Sequence, residues 1–91
     1  MQIHIEYASQ LRVAVESEAE TIECDAGESV NRVLDRLAAI HGEQLKALLF
    51  DAKGNKQPWV WVEYGGELLQ DLTQPLQDGD TLRLMSPISG G

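Results

Sequence analysis

The sequence predicts an α+β domain in which one main helix packs on one face of a mixed sheet of four or five strands. Three observations predict it. QIHIEYA (2–8) and TLRLM (81–85) alternate apolar and polar residues with the period of a strand. Between them, Val30, Val33, Leu34, Leu37 and Ala38 recur at the spacing of one helical face. PWVWVEY (58–64) has the aromatic and β-branched composition of a strand. Ninety-one residues are enough for one core and too few for two.

In the first strand, Ile3, Ile5 and Tyr7 share the buried side, and His4 and Glu6 share the other. SQLRVAVES (9–17) is open between two readings. Leu11, Val13 and Val15 alternate as in a strand, whereas Gln10-Leu11-Arg12 suits the start of a short helix. Thr21 to Cys24 form the second strand, with Ile22 and Cys24 inward. Ser29 is placed to cap a helix running to about His41, and Gly42 to stop it. Leu45, Leu48 and Leu49 indicate a further short helical segment, and DAKGN (51–55) a turn in which Gly54-Asn55 is free to take positive φ. Pro58 opens the next strand, where it breaks no ladder, and Gly65-Gly66 is a hairpin dipeptide. QDGD (77–80) turns the chain into the last strand, which carries Leu82 and Leu84 inward. The first and last strands are expected to pair in parallel at the sheet centre. Residues 1–86 are read as the folded domain and 87–91 as a flexible tail.

Composition narrows the function. Hydrophobic residues make up 43% and charged residues 24%, a balance that buries a core. No apolar run approaches the roughly 18–20 residues of a membrane span. MQIHIEYA alternates instead of presenting a basic patch and an apolar block, so no signal peptide is expected and the chain reads as cytoplasmic. A net charge of −8 repels phosphate backbones and favours a partner with a basic face over nucleic acid. The single cysteine, Cys24, excludes an internal disulfide, and at the inward end of a strand it reads as a buried core thiol. His4 and His41 have no ligand-spaced neighbour, so no metal site is expected, and both read as surface residues. No Ser/His/Asp or Cys/His arrangement stands out, which points away from an independent enzyme.

The closing stretch, LQDGDTLRLMSPISGG, resembles the end of the ubiquitin-like sulfur carriers: a DGD turn, an alternating strand, a proline and a terminal Gly-Gly. PWVWVEYGGELL is similar to that family's strand-turn-strand, and YASQLR with ETIECDAGESV to its first strand, short helix, second strand and helix start. The family includes the small subunit of molybdopterin synthase, the thiazole-synthesis carrier and a carrier for cysteine synthesis. Its fold is the β-grasp, or ubiquitin-like, fold. The sequence departs from the family pattern at Ser86-Pro87, where Pro-Pro is common, at the strand-like Val13-Ala14-Val15, and at Trp61.

The resemblance implies that a ubiquitin-activating-enzyme-like adenylating protein uses ATP to activate the carboxylate of Gly91. Sulfur then replaces the adenylate, and a sulfur-accepting synthase or large subunit consumes the thiocarboxylate. No cofactor is expected on the chain itself, since no nucleotide-binding loop is visible and ATP belongs to the partner. Gly90 and Gly91 suit the reaction because backbone without Cβ enters a narrow active site. Pro87 restricts the tail at its exit and, with Ile88, is assigned to partner contact. Molybdopterin biosynthesis ranks first among the pathways, before thiamin- or cysteine-type synthesis. A protein modifier, in which a lysine amine attacks activated Gly91 to form an isopeptide bond, uses the same terminus. A plain interaction module is the third reading.

The tryptophans extend the site. With Val60, Val62 and Tyr64 facing the helix, Trp59 and Trp61 share the opposite face with Arg83 and Met85. Exposed aromatic and Met side chains rimmed by polar groups mark interfaces, so these four residues are assigned to partner binding.

Overall fold

In the computed structural model, which describes residues 1–86, the chain forms a five-stranded mixed sheet with its helices on one side. The elements are β1 (Gln2–Tyr7), α1 (Ser9–Val15), β2 (Ala19–Glu23), α2 (Val30–His41), α3 (Glu43–Leu49), β3 (Trp61–Tyr64), β4 (Glu67–Leu68) and β5 (Thr81–Met85). Strand order is β2-β1-β5-β3-β4. As expected, the first and last strands pair in parallel near the centre, with Ile5 opposite Leu82 and Tyr7 opposite Leu84. The remaining pairs are antiparallel.

The alternation of β1 and β5 places Ile3, Ile5, Leu82 and Leu84 on the helix side, where they are fully buried with Val62 of β3. Val30, Val33, Leu34 and Leu37 close over them from α2. Burying a Leu or Val side chain stabilises by roughly 1.5–3 kcal/mol, so this stripe against the alternating strands supplies the main driving force for the fold. The start of α2 is satisfied twice over. Ser29 Oγ accepts from the Arg32 amide, and the Val30 and Asn31 amides donate to the Gln74 and Leu72 carbonyls. Segment 72–76 thereby closes the first turn of the helix, and Leu76 enters the core.

The open reading of 9–17 is decided in favour of a helix through Val13-Ala14-Val15: α1 buries Leu11 and leaves Val13 75% exposed. Both edges of β1 are already paired, with β2 and β5, so no ladder is open to a strand here. The strand expected from Pro58 begins only at Trp61. Residues 57–60 form a turn instead, in which the Val60 amide donates to the Gln57 carbonyl at 3.1 Å, and Pro58 supplies the fixed φ of its second position. In the 51–55 turn only Gly54 takes positive φ, and Asn55 does not. His41 is half-buried, not free on the surface; its Nε2 donates to Glu20 Oε2 and its ring meets Tyr7 edge-on. The hairpin behaves as read: Gly65 and Gly66 both have positive φ, the requirement of the two-residue turn that pairs Tyr64 with Glu67.

Candidate functional site

The period of two that buries one side of the sheet exposes the other. On that open side, the ladders place Trp61 of β3 opposite Met85 of β5, and Glu63 opposite both Arg83 and Leu68. Arg83 is in turn in register with Glu6 of β1, so the one cation of this row stands between two acidic positions. Trp61 is 43% exposed and Leu68 48%, and Met85 is partly buried. The result is an apolar patch on β3, β4 and β5, bordered by Glu6, Glu63 and Arg83. No helix covers it among the described residues.

Three of the four residues assigned to this face, Trp61, Arg83 and Met85, lie on it together. Trp59 does not. It occupies the third position of the 57–60 turn, 39% exposed and outside the strand, because the turn ends the period-two pattern before β3 begins. Leu68 belongs to the patch and escaped sequence reasoning. GGELL carries no alternation long enough to fix which leucine faces out, and only the Glu63–Leu68 register decides it.

The patch lies at the root of the tail. Met85, the last residue of β5, is the partner of Trp61, the first residue of β3, and Ser86 immediately follows. The assignments to Pro87, Ile88, Gly90 and Gly91 fall outside the described residues.

Elsewhere, the titratable groups hold structure. Cys24 is buried, and burial, with Glu28 nearby, pushes its thiol up, away from the reactive thiolate. The Tyr7 hydroxyl donates to Glu20 Oε2 at 2.6 Å; burial and that carboxylate keep the phenol protonated well beyond its ordinary range. Arg36 donates from Nε and Nη2 to Glu28 and holds that carboxyl down to about 2. Among the described residues, no group of three or more His, Cys, Asp or Glu side chains is placed to hold a metal ion. No helix there is long and apolar enough to cross a membrane.

The model of the ThiS family matches residues 5–91. The chain belongs to the ThiS family. This is the group of ubiquitin-like sulfur carriers that the terminal motif resembles, and the five-stranded sheet is its β-grasp fold. No curated protein matches the sequence of this ThiS-family chain. Solved structures do. Small archaeal modifier protein 1 of Haloferax volcanii superposes with a TM-score of 0.90 at 25% identity, covering 100% of both chains. A molybdopterin converting factor subunit 1 homologue from Pyrococcus furiosus gives 0.78 at 21% identity, covering 97% of this chain and 99% of that one. The complex of subunits 1 and 2 of molybdopterin-converting factor from Helicobacter pylori gives 0.63 at 21% identity, covering 100% of both chains, a likeness of fold.

Proposed function

We propose that this protein is a sulfur carrier whose reactive group is the carboxylate of Gly91, and that it acts as a protein cosubstrate and not as an enzyme. The observation that carries the reading is the family match extending to residue 91, continuous with a strand that leads out of the sheet beside an open apolar patch. The α-carboxylate is ionised at neutral pH, with a reference pKa of about 3.3–3.7. One of its oxygens attacks the α-phosphorus of ATP in a ubiquitin-activating-enzyme-like partner. Pyrophosphate leaves, and the tail becomes an acyl adenylate. A hydrosulfide-equivalent nucleophile then attacks the acyl carbon, AMP departs with the bonding pair, and a thiocarboxylate remains. A synthase or large subunit takes that sulfur. Activation consumes ATP, so the reading is a cytoplasmic one.

The Trp61–Met85–Leu68 patch, with Arg83 at its border, is the docking surface in this reading. It would hold the body of the carrier while the tail enters the partner's active site. Trp59, in the turn before β3, and Pro87 and Ile88, which precede Gly90 and Gly91 in the sequence, are assigned to the same partner contact. Molybdopterin biosynthesis is the first pathway. Its support is the shared fold with the Helicobacter pylori protein, which is found as a complex of subunits 1 and 2. Thiamin- or cysteine-type synthesis follows.

A protein-modifier role has its own support in the full-length likeness to small archaeal modifier protein 1 at 25% identity. There a lysine amine displaces the leaving group from activated Gly91 and an isopeptide bond forms.

Intact mass of the untagged chain from its own host, together with a lysate blot, tests both readings. Replacement of one oxygen by sulfur at Gly91 is the expected result. A ladder of conjugates without thiocarboxylate would favour the modifier. An unmodified terminus, without conjugates and inert towards every adenylating enzyme of the host, would overturn both.

A further inference from the structure

The turn that leads into the docking surface is held by a cation from beneath. Lys56 Nζ donates to the Val60 carbonyl at 2.6 Å and to the Gln57 carbonyl at 3.0 Å, the two ends of the Gln57-Pro58-Trp59-Val60 turn. The Gln57 carbonyl also accepts from the Val60 amide, so one oxygen takes both the turn bond and the ammonium. Behind this, the Gln57 amide donates to the Leu49 carbonyl and its side-chain Nε2 to the Phe50 carbonyl at 3.0 Å, which fastens the turn to the end of α3. Pro58 restricts the backbone between them, and buried Val60 anchors the far end. Trp59 is exposed, as is Pro58 before it, and Trp61 begins the strand one residue beyond the clamped carbonyl.

The other two lysines are placed differently. Lys46 and Lys53 are exposed at the groove between α2, α3 and the 51–54 turn, whereas Lys56 is partly buried, and burial lowers its affinity for the proton. A partly desolvated ammonium with two main-chain acceptors is held in one geometry. A methylene chain of equal length would fill the space and leave both carbonyls without the donor.

We propose that Lys56 is a positioning residue for the partner-binding surface: its ammonium holds the 57–60 turn so that Trp59 and Trp61 are presented together beside the root of the tail. The inference rests on the docking role given above to Trp61. The role assigned to Lys56 is exerted through the turn and not through chemistry at Gly91. It lowers the ordering cost of binding by holding the turn before the partner arrives.

The test compares Lys56→Met and Lys56→Arg with the native chain, reading near-UV circular dichroism and the affinity for the purified adenylating enzyme of the host. The chain has only two tryptophans, Trp59 in this turn and Trp61 just beyond it, so the tryptophan part of the near-UV signal reports on this pair. Lys56→Met is expected to change that signal with the far-UV spectrum retained, and to weaken binding about tenfold, the loss of a hydrogen bond to a charged group. Lys56→Arg, which keeps a charged donor, restores most of both. In a Trp61→Ala background the Lys56→Met loss shrinks, because the surface it positions is already truncated. If Lys56→Met unfolds the chain, Lys56→Arg and Lys56→Gln carry the comparison. A near-UV spectrum unchanged in Lys56→Met overturns the inference whether or not the enzyme binds. Unchanged affinity in Lys56→Met, where Trp61→Ala weakens binding, overturns it also. Failure of the native chain to bind tells against the docking reading instead and leaves the spectrum to decide the turn.

Discussion

Trp61 and Met85 face each other across the β3–β5 ladder, on the side of the sheet that carries no helix. One is the first residue of its strand and the other the last of its own, so the most exposed aromatic side chain of the sheet stands where the chain leaves it. In the proposed docking role, a partner that grips this pair would set the direction in which the residues after Ser86 approach its active site.

Trp61→Ala is therefore expected to cost about 2 kcal/mol of affinity for the adenylating partner, the scale of an interface hot spot. Because Trp61 lies outside the core, the unfolding midpoint in urea should barely move. Calorimetric titration measures the first quantity, and equal affinities for mutant and native chains would remove Trp61 from the interface.

Acid should release the clasp at the start of α2. Glu28 accepts from Arg36, its carboxyl is held down to about 2, and Asp25 adds a second, exposed acceptor at 3.2 Å. A depressed carboxyl stabilises the fold at pH above its unfolded value. That contribution fades as the pH falls from the ordinary glutamate range, near 4.3, towards about 2. Urea unfolding across pH 2–6 should show this slope in the native chain and a shallower one in Glu28→Gln.

At alkaline pH the relevant group is Tyr7, whose phenol stays protonated beyond its ordinary range through burial and the Glu20 carboxylate. A raised acid stabilises the fold below its unfolded value, near 10 for tyrosine, and the contribution is lost as the pH rises past it. Tyr7→Phe should flatten the alkaline decline. It should also lower stability at neutral pH by about 1 kcal/mol, for one hydrogen bond removed. Unfolding followed between pH 7 and 11 checks both.

Glu16 ends α1 with φ of 57°, a left-handed conformation that favours glycine. The side chain is exposed and has no hydrogen bond or ion pair among the described residues. Glu16→Gly should stabilise by about 1 kcal/mol, the steric cost of Cβ in this region less the added freedom of the unfolded chain. A lowered urea midpoint would show that Glu16 contributes more than its backbone geometry indicates.

The amino-acid sequence by itself determined the sheet, its main helix and the identity of the terminal motif. Those rest on local regularities: the period of two in β1 and β5, the apolar stripe of α2, and the DGD turn before the last strand. Side chains on one face of an element share a fate whatever packs against them, so the pattern is legible before the partner element is known. Where a segment is short, its pattern settled nothing. Val13 and Val15 alternate like a strand and lie in a helix, because both edges of β1 were already taken. Trp59 carries the signature of the strand that follows it and sits in a turn, because Gln57, Lys56 and the end of α3 hold the backbone there. Leu68 and His41 received their surroundings only from strand register and from the approach of α2 to β2. Periodicity reports which way a side chain points within its own element. Which other element stands opposite is decided by contacts distant in sequence, and the open patch beside the tail is a consequence of that tertiary choice.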